Sequence, residues 1–154
     1  MTSSAISIAA TVAAVITWAG AAVAQDTNTI QRTQTGLLNI AQINQNARNN
    51  RLQLAQFGSR NLAFVTQNGQ NNISDVRQAG RVNSASVTQN GDSNQNRLRQ
   101  LGGESEAVVV QTGRISRSVI SQAGSDNYLT TYQNGNVSVL MIDQASSSRG
   151  MFRR

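Results

Sequence analysis

The side chains best placed to do chemistry in this chain are amides, and the chemistry open to them is hydrogen bonding to copies of themselves. A glutamine returns every 11 residues, at Gln34, Gln45, Gln56, Gln67, Gln78, Gln89, Gln100, Gln111, Gln122, Gln133 and Gln144. Each side-chain amide offers two donor hydrogens and an acceptor oxygen, so identical residues stacked one above another can bond in a column. The groups that support catalysis or metal binding are scarce: there is no His, Cys or Lys, and the 7 carboxylates are scattered. Glu104 and Glu106 stand close together, but one falls in a turn and the other points outward, which reads as a solvated pair. No enzyme, cofactor, metal site or small-molecule substrate is therefore expected. The glycine- and aspartate-rich nonapeptide of a calcium-binding roll is absent, and the outward positions read as too mixed for a flat threonine ladder.

A column needs elements that repeat with it. Written in rows of 11 from Asn39 to Ser148, the chain aligns over ten rows. The first position is Asn39, Asn50, Asn61, Asn72, Asn83, Asn94, Ser105, Ser116, Asn127 and Ser138. The third is mostly small or aliphatic. The fifth is Ile43, Leu54, Val65, Val76, Val87, Leu98, Val109, Ile120, Thr131 and Ile142, and the seventh is the glutamine. Gly58, Gly69, Gly80, Gly91, Gly102, Gly113, Gly124 and Gly135 follow two residues later.

Positions one, three, five and seven share a face only in a strand, where side chains alternate with a period of two. Charge tests that placement: Arg51, Asp75, Arg77, Arg97, Arg99, Glu106, Arg117 and Asp143 all fall on even positions. The odd face is inside, and glycine supplies the positive φ at which the chain reverses. Two strands and two turns close one rung. Gln-Asn-Gly or Gln-Thr-Gly alternates with Gln-Phe-Gly, Gln-Ala-Gly or Gln-Leu-Gly, which marks a 22-residue rung: 39–60, 61–82, 83–104, 105–126 and 127–148. The predicted fold is all-β, a flattened β-solenoid (β-helix) with two facing parallel sheets, a thin aliphatic seam and amyloid-like amide ladders.

The flanks depart from the pattern. Residues 1–24 are uncharged, with an apolar run from Ile6 to Val23 and an Ala22-Val23-Ala24 cleavage pattern, and read as a signal peptide. Residues 25–38 read as a leader with a frayed half-row, because Arg32 would stand at an inward position. Residues 149–154 read as a basic tail outside the repeat, with Arg149, Arg153 and Arg154 as candidates for surface attachment. The formal net charge of +6 comes entirely from arginine. With no cysteine, an exported chain must hold itself by packing and hydrogen bonds.

The Asn/Ser, Ala and Gln-x-Gly offsets in 22-residue units behind a signal peptide resemble the curlin family, over residues 39–148. The resemblance implies a subunit of curli, the extracellular functional amyloid fibre (pilus-like) of bacterial biofilms, exported through periplasm and outer membrane. It implies self and related curlin subunits as partners, outer-membrane secretion and assembly factors, and roles in cell adhesion and biofilm matrix. The strong positive charge and basic C-terminal end look more like the minor, nucleating subunit. Two alternatives stay open: a major, fibre-forming curlin, or a monomeric secreted solenoid whose arginines bind anionic polymers such as extracellular DNA or lipopolysaccharide.

Overall fold

A computed structural model describes residues 28–145 and the backbone of residues 149–153. The expected signal peptide and Arg154 lie outside the described residues, and no described helix is long and apolar enough to cross a membrane. The described residues form strands joined by short turns: β1 (Thr29–Thr35), β2 (Ile40–Asn46), β3 (Arg51–Gly58), β4 (Asn61–Asn68), β5 (Ile73–Gly91), β6 (Gln95–Gly124), β7 (Asn127–Gln144) and β8 (Arg149–Arg153). Every pairing between them is parallel, and from β1 to β7 each residue meets the one 22 positions on. The result is a β-solenoid of about 5 turns, roughly 24 Å tall at the usual strand spacing.

Two ladders run up the stack. One contains β1, β3 and the first halves of β5 and β6, continuing through the last part of β6 into the last part of β7. The other contains β2, β4, the second half of β5, the middle of β6 and the first half of β7. Strands form because small, aliphatic and amide residues alternate with polar ones; they turn inward as one face and close the seam. Ala41, Ile43, Leu52, Leu54, Ala63, Val65, Val76, Ala85, Val87, Leu98, Ala107, Val109, Ile120, Leu129 and Ile142 make one continuous buried cluster.

The turns come in two kinds, and the eleventh residue of the row decides which. Where it is Leu38, Asn49, Arg60, Asn71, Ser93 or Asp126, it takes φ of 54 to 60°, and its glycine, where the row has one, takes φ of 104 to 116°. The strand then breaks at that corner. Where it is Val82, Glu104, Ile115 or Val137, it is not left-handed, the preceding glycine opens to φ of 139 to 146°, and β5, β6 and β7 run straight through. A β-branched residue is costly at positive φ, whereas Asn and Asp tolerate it. Corners of the first kind stack on one another: the amides of Arg60, Asn71 and Ser93 donate to the carbonyls of Leu37, Arg48 and Gln70 in the coil below.

Both flanks differ from the sequence reading. The half-row containing Arg32 is not frayed; β1 pairs with β3 along its whole length, Thr29 to Thr35. Seven residues of ladder outweigh one misplaced charge. The C-terminal segment is not outside the stack either. The backbone of β8 lies on β7, with Tyr128 opposite Arg149 and Tyr132 opposite Arg153. Its offset is 21, one short of the repeat, because an open strand edge accepts any extended backbone that reaches it.

Candidate functional site: two amide columns and the open ends of the sheets

The seventh-position glutamines form two columns with one polarity. In the first, Gln34 Nε2 donates to Gln56 Oε1, and the chain of bonds continues to Gln78 (2.8 Å), Gln100 (2.9 Å), Gln122 (3.0 Å) and Gln144 (3.0 Å). In the second, Gln45 donates to Gln67 (2.7 Å), and the chain continues through Gln89 (2.8 Å) and Gln111 (2.9 Å) to Gln133 (2.9 Å). The other amide hydrogen crosses the seam. Gln78 Nε2 donates to the Leu62 carbonyl (2.9 Å), Gln100 to that of Ser84 (2.9 Å) and Gln111 to that of Gln95 (3.1 Å). Each glutamine thus ties its own ladder vertically and clamps it to the facing one. A leucine of similar size would fill the space and forfeit both bonds, at about 0.5–1.5 kcal/mol each.

The first-position asparagines brace the turns. Asn72 Nδ2 reaches the carbonyls of Asn68 (3.2 Å) and Gly91 (3.0 Å), while its Oδ1 accepts from the backbone and side-chain amides of Asn94. Asn50 does the same for Asn46, Gly69 and the amide of Asn72. In the facing ladder Asn39 accepts from Asn61, which accepts from Asn83. These columns stop at Asn83 and Asn94, whose Oδ1 atoms have no partner, because Ser105 and Ser116 above them are too short to donate. Asn127, expected as a ladder member, is a correction: it is buried above Ser105 and neither amide atom is partnered.

The seam also holds a polar stripe that explains the inward Asn96. Its Nδ2 donates to Ser74 Oγ (3.4 Å) and its Oδ1 accepts from Ser118 Oγ (2.7 Å). Small hydroxyl residues below and above leave room for the amide and satisfy it, as a buried polar group requires. The fifth-position seam residues Ile43, Leu54, Val65, Val76, Val87, Leu98, Val109, Ile120 and Ile142 are all buried. Gly58, Gly69, Gly80, Gly91, Gly102, Gly113, Gly124 and Gly135 all have positive φ.

Outward positions, read as mixed in the sequence, are segregated by sheet. Arg51, Arg77, Arg97, Arg99 and Arg117 are exposed on the ladder that contains β1 and β3; the other ladder carries Glu104 at its corner and Glu106 at an outward strand position. Sorting even positions by alternate rows would have revealed this. Asp75 lies under Arg97 in register and pairs with Arg77 (3.3 Å) and Arg97 (3.8 Å). Such exposed pairs contribute about 0–1 kcal/mol. Glu104 and Glu106 are both exposed, beside an open groove that Asp126 and Tyr128 also line.

The ends of the stack are open sheet edges. Among the described residues, β1 and β2 each pair on one side only at one end, and residues 138–144 and β8 do so at the other. At the first end Gln45 Oε1 is buried and has no donor. At the other, Gln133 donates to the Arg117 carbonyl (3.1 Å) and no described glutamine continues its column. The single polarity of the columns suits an in-register continuation from residues 138–144 to β1 of the next solenoid, whereas β8 covers the other ladder in a register shifted by one.

Residues 48–80 match the family model of the curlin associated repeat. No curated protein and no solved structure matches the chain. The matched stretch spans β3, β4 and the start of β5, and the 22-residue register that relates those strands extends unbroken from β1 to Gln144. On that match and that register, the chain carries the curlin associated repeat over residues 48–80 and is similar there to the curlin family.

Proposed function

We propose that this protein is a subunit of an extracellular curli-type fibre that engages other curlin-repeat solenoids by continuing its two ladders end to end, and that it starts fibres rather than forming their bulk. One observation carries the reading: two parallel ladders whose amide columns have a single polarity end, among the described residues, in strands paired on one side only, β1 and β2 at one end and residues 138–144 and β8 at the other. An uncovered edge is a template for another chain. The net charge of +6 and the basic residues Arg149, Arg153 and Arg154 support an initiating subunit held at an anionic cell surface. Secretion through the outer membrane, assembly factors there, adhesion and biofilm matrix follow from the same reading.

The test is nucleation. Trace amounts of the mature chain are added to a purified related curlin-repeat subunit and the lag of thioflavin fluorescence is measured. A severalfold shorter lag is expected; an unchanged lag counts against the initiating role.

A second reading is favoured by the arginine face. Five exposed arginines on one sheet, facing away from the seam, form a surface on which an extended phosphate polymer could displace counterions. Retention of DNA by the fibre should fall steeply with salt, and an Arg97→Gln, Arg99→Gln, Arg117→Gln variant should flatten that dependence. Identical salt curves for both proteins would exclude the face as a binding surface.

A further inference from the structure

We propose that Arg32 closes one end of the solenoid to further copies of this chain, so that it joins other solenoids only through the end formed by residues 138–144. The proposal rests on the initiating role above and gives it a mechanism.

The register places Arg32 in the inward fifth column, opposite Leu54 and below Val76, Leu98, Ile120 and Ile142. It is the one charged side chain on the inward face of the described strands. It is 6% exposed, and its Nη1 atom has no partner among the described residues. Burial pushes the guanidinium pKa below its usual value. The strand that carries it, β1, pairs only with β3 among the described residues, so its other edge is where a further solenoid would seat.

A second copy seated in register brings Gln144 to Gln34, and therefore Ile142 to Arg32 and Leu140 to Ile30. The inward residues of that incoming edge are Ser138, Leu140, Ile142 and Gln144, with no carboxylate among them. Such a joint seals an unpaired guanidinium between aliphatic side chains, which is among the most unfavourable burials a protein can make. The opposite end has no such obstacle: Ile142 is buried and Leu140 packs on the core. Any joint between two copies uses one end of each kind. A block at β1 therefore opposes the homopolymer while leaving residues 138–144 as a template. The partner this template fits is a curlin-repeat solenoid with an uncharged residue where this chain has Arg32.

The experiment measures two rates for the wild type, Arg32→Leu and, as a charge-matched control on the outer face, Arg51→Leu. One is self-elongation of each purified chain; the other is the seeding of a curlin-repeat subunit uncharged at that position. Arg32→Leu should elongate on its own at least about tenfold faster, the equivalent of a single modest free-energy step, while seeding stays as in the wild type and Arg51→Leu changes neither rate. Arg32→Gln removes the charge at similar length and guards against misfolding of the leucine variant; it should also elongate faster. Self-elongation unchanged in both Arg32 variants, or raised equally by Arg51→Leu, overturns the proposal and leaves the initiating role intact. Absence of seeding by every protein overturns the initiating role, and the self-elongation ratio still decides what Arg32 does.

Discussion

Val109→Asp should prevent stacking of the solenoid at neutral pH, and acid should restore it. Val109 is 1% exposed, at the centre of the seam, with Val87 below it and Thr131 above. A carboxylate has no cation to meet there, so the introduced group folds only as the neutral acid. Holding an ordinary aspartate neutral at pH 7 costs about 4 kcal/mol, from an unperturbed pKa near 3.9 and 1.36 kcal/mol per unit. That is a large share of the stability of a small domain. The sign follows from the direction of the shift: burial raises the folded-state pKa above the unfolded one. The penalty is absent below about pH 4 and grows as pH rises through that value. When neutral, the acid can donate to Thr131 Oγ1, which is buried and without a partner. Thioflavin kinetics and far-ultraviolet circular dichroism at both pH values, with the wild type alongside, check this. Arg117→Gln, on the exposed face, should change stability by no more than about 0.5 kcal/mol. Equal kinetics for the two variants at neutral pH would show that the fifth position does not face inward.

That facing was legible because charge and alternation carry it redundantly; the strands between turns obey one rule, row after row. What was not legible depends on a residue's neighbour 22 positions away rather than on its own type. Asn127 has the same letter as Asn61, yet Asn61 stands above Asn39 and receives its bonds, while Asn127 stands above Ser105 and receives none. Asn96 puts an amide among small and aliphatic seam residues and is satisfied, because Ser74 and Ser118 flank it in the column. Arg32 was weighed as a local penalty against its row, when the competing quantity was the whole ladder that β1 makes with β3. The two kinds of turn were written in the eleventh position all along, in the contrast between Asn71 or Asp126 and Val82 or Ile115. Their effect, breaking a strand or letting it run on, follows from torsional preference and not from any period.

Gly102→Ala should disrupt the stack far more than Gly135→Ala, although the two residues share a φ of 139°. An alanine at either site bears the strain of that torsion, about 1–2 kcal/mol for an L-residue. At Gly135 nothing lies within 4 Å of the added Cβ, so the strain stands alone. At Gly102 the Cβ would overlap the backbone carbonyl oxygen of Gly124 in the next coil. Neither group can swing aside, since both belong to turns that join paired strands. Relief requires the coils to part, which breaks ladder bonds on both sides of the corner. The expected loss is upwards of about 4 kcal/mol, in the exceptional range to which overpacking and backbone strain contribute. Hydrogen exchange of the strand amides would read the difference directly: protection lost around residues 95–102 and 117–124 in Gly102→Ala, and preserved there in Gly135→Ala. Should the two variants lose protection alike, the glycine column would be required for its torsion only, and the close approach of successive coils would set no limit on residue size. If they differ, the close approach of successive coils is what makes Gly102 necessary at its corner, over and above its torsion.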